Sequence, residues 1–101
     1  MESDYIYHVT NRKQWEEAQK IGHYDSDTLA TEGFIHCSTE PQVAGVLERY
    51  YEGQTNLVKL KIEKSKVERP LVFELASSIN EVFPHIHGAL NLNAVVEVTE
   101  I

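Results

Sequence analysis

Apolar and polar positions change period several times along the chain, and each change predicts an element. Tyr5-Ile6-Tyr7-His8-Val9-Thr10 is dense in aromatic and β-branched side chains, the composition of a strand. Thr10 or Asn11 then offers a helix cap, and Trp15, Ala18 and Ile21 fall on one face of the helix that follows. Gly22 suits the position just past its end. Asp25-Ser26-Asp27-Thr28 has no apolar period and reads as a polar loop with an Asx-type turn. Gly33-Phe34-Ile35-His36-Cys37-Ser38 reads as a second short strand. Thr39 and Gln42 have the spacing of a capping box, with Pro41 in the first turn where its missing N–H does no harm. Val43, Val46, Leu47 and Tyr50 then recur at i, i+3, i+4 and i+7, an amphipathic helix ending near Gly53.

After that helix the period becomes two. Val58, Leu60 and Ile62 point inward while Lys59 and Lys61 point outward, and residues 70–74 and 94–99 add further strands. Two N-terminal helices followed mostly by strands predict an α+β fold on a small β-sheet, not a repeating parallel α/β architecture.

Composition narrows the picture. At 101 residues the chain has room for a single domain, residues 1–101, around one core, and 42% hydrophobic with 25% charged residues is ordinary for a globular protein. No apolar run is long enough for a membrane span, and the acidic start resembles no targeting segment. Cys37 is the lone cysteine, so no internal disulfide forms, and a soluble protein of the reducing cytoplasm is expected. The nine basic residues are scattered through a net charge of -7, which argues against extended nucleic acid as a partner. A small molecule in a local pocket is the partner this composition leaves open.

Candidate chemistry sits on the histidines. His8 with Thr10, and His36 with Ser38, each place an imidazole two residues before a hydroxyl at the mouth of a helix, so each pair should share a strand face. A helix N-terminus adds unpaired N–H groups and roughly half a positive charge, which suits a phosphate or carboxylate. The plainer reading is that Thr10 and Ser38 cap helices and the imidazoles are bonded at a sheet edge. In Phe83-Pro84-His85-Ile86-His87-Gly88, an extended backbone would put His85 and His87 on one face, while Asn91 in the turn beyond offers an amide to a ligand. These patterns nominate His36 and His85 as acid or base, and His8, Thr10, Ser38, His87 and Asn91 as ligand contacts. His23, beside Gly22, fits a helix-dipole partner better. Cys37 points away from its neighbour His36 on a strand and reads as a small core residue. Trp15 and Tyr50 read as core, and Glu16-Glu17 as a solvated helix face.

Taken together, "IYHVT", Trp15, "DSDTLATEGFIHCS" and "FPHIHGALNLNAVV" resemble the family catalogued as domain of unknown function 952 (DUF952), over nearly the whole chain. The resemblance implies an ADP-ribosyltransferase-like fold, a split β-sheet with a cleft for an NAD-like ligand. It would put His8 where such folds hold a ribose, and His36 with Ser38 toward the nicotinamide or phosphate side. His85 or His87 would stand where many such transferases place a glutamate, with Glu81 nearby but off that position. An imidazole there cannot stabilise an oxocarbenium-like centre as a carboxylate would.

Three readings of function remain open on the sequence. One is an enzyme acting on a nucleotide or NAD-like substrate through His36 or His85. Another is a binding module for a nucleotide or small anion, without turnover. The third is a metal site on His85 and His87 with His8 or His36, oriented by Asp25 or Asp27.

Overall fold

The computed structural model describes residues 4–101. Among them run β1 (Tyr5–Asn11), α1 (Arg12–Ile21), β2 (His23–Tyr24), α2 (Ser26–Glu32), β3 (Ile35–His36), α3 (Val43–Tyr50), β4 (Leu57–Glu63), β5 (Leu71–Ala76), β6 (Glu81–Ile86), β7 (Leu90–Asn91) and β8 (Val95–Glu100). Every strand pairing is antiparallel. One three-stranded sheet has the order β1-β4-β8, a second has β3-β6-β5, and β2 with β7 forms a short ribbon. The α+β expectation holds. None of the described helices is long and apolar enough to cross a membrane.

The two larger sheets share one core, and a backbone bridge ties their edges. Tyr7 and Ser38 exchange both backbone hydrogen bonds, each 2.7 Å long, and so tie β1 to the chain just past β3. The predicted strand 33–38 therefore serves two sheets. Ile35 and His36 pair with Ile86 and His85, Cys37 N–H donates to the Pro84 carbonyl at 2.9 Å, and Ser38 has already turned to β1.

Alternation in β4 buries Val58, Leu60 and Ile62 as predicted, against Ile6, Ile35, Ile86 and Leu90. Lys59 and Lys61 turn outward over the Tyr7 and Tyr5 rings, at 5.5 and 4.3 Å. Asn11 caps α1 by accepting from Gln14 N–H at 2.7 Å, and Gly22 closes it at φ 104°. Trp15 and Ala18 are buried, but Ile21 is 67% exposed. At 100° per residue Ile21 lies about 120° around the helix from Trp15, off the stripe that reaches the core.

Two further expectations need correction. Residues 26–28, read as a loop, open the helix α2, which raises the helices of the first half from two to three. Its apolar anchor is Leu29 alone, so no period betrays it. The stripe of α3 also divides. Val43 and Leu47 pack with Tyr7, Val9 and Leu57, whereas Tyr50 is 60% exposed and turns with Val46 toward an open cleft.

Candidate functional site

Beside the seam between the sheets opens a cleft of about 650 Å³, the size of a small-molecule site. Strand β1 contributes His8 and Val9, and α2 contributes Thr28 and Glu32. The chain through β3 supplies Phe34, His36, Cys37 and Ser38, and α3 with the residue after it supplies Val46, Tyr50 and Tyr51. The β5–β6 hairpin closes the far side with Leu75, Ser77, Ser78, Phe83 and His85. His8, His36, His85 and Ser38 thus come together. Thr10, His87 and Asn91 stand outside this wall.

His8 is buried, and both of its ring nitrogens are engaged. Nδ1 donates to the His36 carbonyl at 2.5 Å, a second tie between the sheets, since a carbonyl oxygen can only accept. Nε2 lies 2.7 Å from the Tyr24 hydroxyl, which lies 2.9 Å from Thr10 Oγ1. Thr10 in turn donates to Gln14 Oε1 at 2.8 Å, and Gln14 Nε2 donates to Asp27 at 2.9 Å. His8 and Thr10 do share a strand face, but the face serves a hydrogen-bonded chain that runs under α1. Burial pushes the His8 imidazolium down to about 4 and the Tyr24 phenol up to about 12. His8 is therefore a neutral clamp that positions the His36 backbone.

His36 and His85 face each other across β3 and β6 as directly paired residues, their rings edge to face at 4.7 Å. Each imidazole has its own carboxylate. His85 Nδ1 donates to Glu74 Oε1 at 2.8 Å, and His36 Nε2 lies 3.1 Å from Glu32 Oε2. His87 Nε2 donates to the same Glu74 oxygen at 2.8 Å, and the two imidazoles hold the Glu74 carboxyl below its ordinary value. Phe34 stacks on His85 with centroids 4.1 Å apart and planes 12° from parallel.

These contacts leave particular atoms open. His85 is 6% exposed and Ser38 is 5% exposed, yet among the described residues neither His85 Nε2 nor Ser38 Oγ has a hydrogen-bond partner. Among the described residues no buried side-chain polar atom lacks a hydrogen bond, so both atoms must reach the cleft. An imidazole with Nδ1–H fixed on a carboxylate presents the Nε2 lone pair, the arrangement of a general base.

The other sequence candidates have structural posts. Asn91 accepts from Glu68 N–H at 3.0 Å and donates to the Lys66 carbonyl at 2.7 Å, which pins the 66–68 turn to β7. His23 is exposed and pairs with Asp25 at 2.6 Å. Cys37 is buried, and burial pushes its thiol up, away from the thiolate. Among the described residues no three His, Cys, Asp or Glu side chains are placed to hold a metal ion. His85 and His87 share a face as expected, but they turn to Glu74.

Glu74, Glu32 and Tyr24 are partners of the cleft histidines that sequence reasoning missed. Alternation along β5 does put Val72 and Glu74 on one face. What the sequence lacks is the pairing of β5 with β6, which sets Glu74 opposite Phe83 and diagonal to His85. Nothing local marks Tyr24 as the partner of His8.

Crystal structures of protein CC0527 from Caulobacter crescentus, and of a double-methionine variant of it, match with TM-scores of 0.86 at 28% identity, covering 95% of this chain and 84% of that one. The solution NMR structure of the same protein matches with a TM-score of 0.84 at 27% identity, over 98% and 85% of the two chains. No curated protein sequence matches the chain. The family model described as protein of unknown function (DUF952) matches residues 9–98, which takes in every cleft residue named above except His8.

Proposed function

Because the chain belongs to the DUF952 family, described as proteins of unknown function, its chemistry is read from the cleft, and we propose a small enzyme that moves protons on a nucleotide- or NAD-like compound. The observation that carries this reading is His85, buried, oriented by Glu74 and with Nε2 open to the cleft. A structural histidine satisfies both nitrogens, as His8 does; His85 satisfies one.

In this reading the ligand lies between α3 and the β5–β6 hairpin, with a ring against Tyr50 and a hydroxyl near Ser38. His85 Nε2 takes a proton from the reacting group, and Glu74 stabilises the imidazolium that forms. His36, across from it and more exposed, gives a proton to a second atom of the same ligand, so the pair takes one proton and supplies one. The split sheet with its cleft supports the ADP-ribosyltransferase-like comparison. The acids at hand here are Glu32 at the cleft wall and Glu74 behind His85, and neither occupies the strand position that the comparison wanted.

The test is a thermal-shift screen of nucleosides, nucleotides, NAD and its fragments, followed by product analysis of each binder. A ligand at a hundred times its Kd stabilises the native state by about 2.7 kcal/mol, a shift of roughly 10–20 °C for a domain of this size. The His85→Asn variant should keep the shift and lose about a hundredfold in turnover. Binding without product in the native protein would instead make the cleft a recognition module. A flat screen would remove the ligand class altogether.

A further inference from the structure

The chain has nine lysines and arginines, and none of them lines the cleft. Arg12 pairs with Glu100, Lys66 with Glu63, and Arg49 with Glu81 at 3.7 Å, its guanidinium 5.9 Å from the centroid of the Tyr50 ring at the cleft edge. Lys59, Lys61 and Lys64 cover the Tyr7, Tyr5 and Phe73 rings. Apart from the buried, neutral His8, the acidic and basic side chains of the cleft wall are Glu32, His36 and His85, and the two imidazoles already face Glu32 and Glu74. Helix N-termini do not fill the gap. The first turn of α1 is closed by Asn11, and α2, which brings Ser26 and Thr28 to the wall, starts beside the carboxylates of Asp25 and Asp27, which oppose an anion there. A phosphate entering here would leave water, find no lysine or arginine on the wall and approach a like charge.

What the cleft does offer is rings and hydroxyls. Tyr50 presents an exposed face, Phe83 and Tyr51 add apolar wall, and Ser38, Ser77 and Ser78 supply hydroxyl groups. A planar base stacks on the first kind of surface, and a sugar bonds to the second. We propose that the cleft selects an unphosphorylated nucleoside, an aromatic base on a hydroxylated sugar, over its nucleotides. This rests on the nucleotide-like reading above and narrows it.

Isothermal titration of the intact protein tests it, with adenosine, guanosine, cytidine and uridine each set against its 5′-mono- and diphosphate at low salt. For the base that binds, the nucleoside should bind at least tenfold more tightly than its monophosphate, the diphosphate should be weaker again, and added salt should narrow the gap. Glu32→Gln, an exposed change that leaves the core intact, should narrow the same gap at low salt by strengthening the monophosphate. Tyr50→Ala should weaken nucleoside and nucleotide alike. A nucleotide that binds more tightly than its nucleoside overturns the selectivity and leaves the nucleotide-like reading standing. Failure of every probe overturns both.

Discussion

Three imidazoles at one seam have three different amounts of freedom, and the hydrogen bonds decide it. His8 has both nitrogens taken, His36 is half exposed beside Glu32, and His85 is buried with one nitrogen fixed and one open. The role of Glu74 is to choose the His85 tautomer, because a carboxylate accepts and cannot donate. Glu74→Gln tests this without knowledge of the reaction. Nitrogen NMR of the ring should show Nδ1–H alone in the native protein and a mixture of tautomers in the variant, since an amide can turn either way. His36 should not change. If His85 keeps one tautomer in the variant, the Phe34 stack orients the ring and Glu74 does not. Alternation in the sequence was enough to put His85 and His87 on one face. It could not supply Glu74, because the carboxylate arrives from a neighbouring strand, and strand neighbours are fixed by tertiary packing.

Among the elements, α2 was hardest to see, although it lines the cleft. It carries Thr28 and Glu32 to the wall, yet it touches the core through Leu29, and a seven-residue helix with one anchor leaves no periodic trace. Its legible signal was its end. Gly33 sits at φ 85° and its N–H donates to the Leu29 carbonyl at 3.1 Å, a left-handed cap. A Cβ at this position meets nothing within 4 Å, so Gly33→Ala should destabilise through backbone strain alone, by about 1 kcal/mol. Urea unfolding of the variant measures it; no loss of stability would mean that α2 unwinds at little cost. The longer elements were legible for the opposite reason. In β4 and α1 several apolar residues repeat on one face, and only the position at the fringe of that face, Ile21, fell outside the core. The stripe on α3 misled at Tyr50, because the pattern shows which residues avoid water in an ordinary helix and not where a cleft interrupts the sheet beneath.

At the scale of the whole molecule, two small sheets share one core and are tied by a backbone bridge and by the buried His8 clamp, so their union should be sensitive to acid. Unfolded, His8 binds a proton near its ordinary value of 6.5, and folded it resists protonation down to about 4. Between those limits the unfolded chain holds more protons, so stability falls as pH drops through that window and levels off below it. The full swing for a shift of this size is about 3 kcal/mol. Glu74 adds loss in the same direction in a lower window. Its folded value is depressed below 4.5, so its contribution is present above that pH and disappears as pH falls through the folded value. Urea midpoints measured at about pH 7.5 and about pH 4.5 separate the two groups, because the lower of these still lies above the folded value of Glu74. Native protein should lose most of the histidine swing between these points. His8→Gln keeps a polar group against the His36 carbonyl and cannot titrate, so it should start less stable and lose much less on acidification. Equal losses in the native protein and the variant would place the acid sensitivity elsewhere and leave His8 a neutral clamp with no part in it.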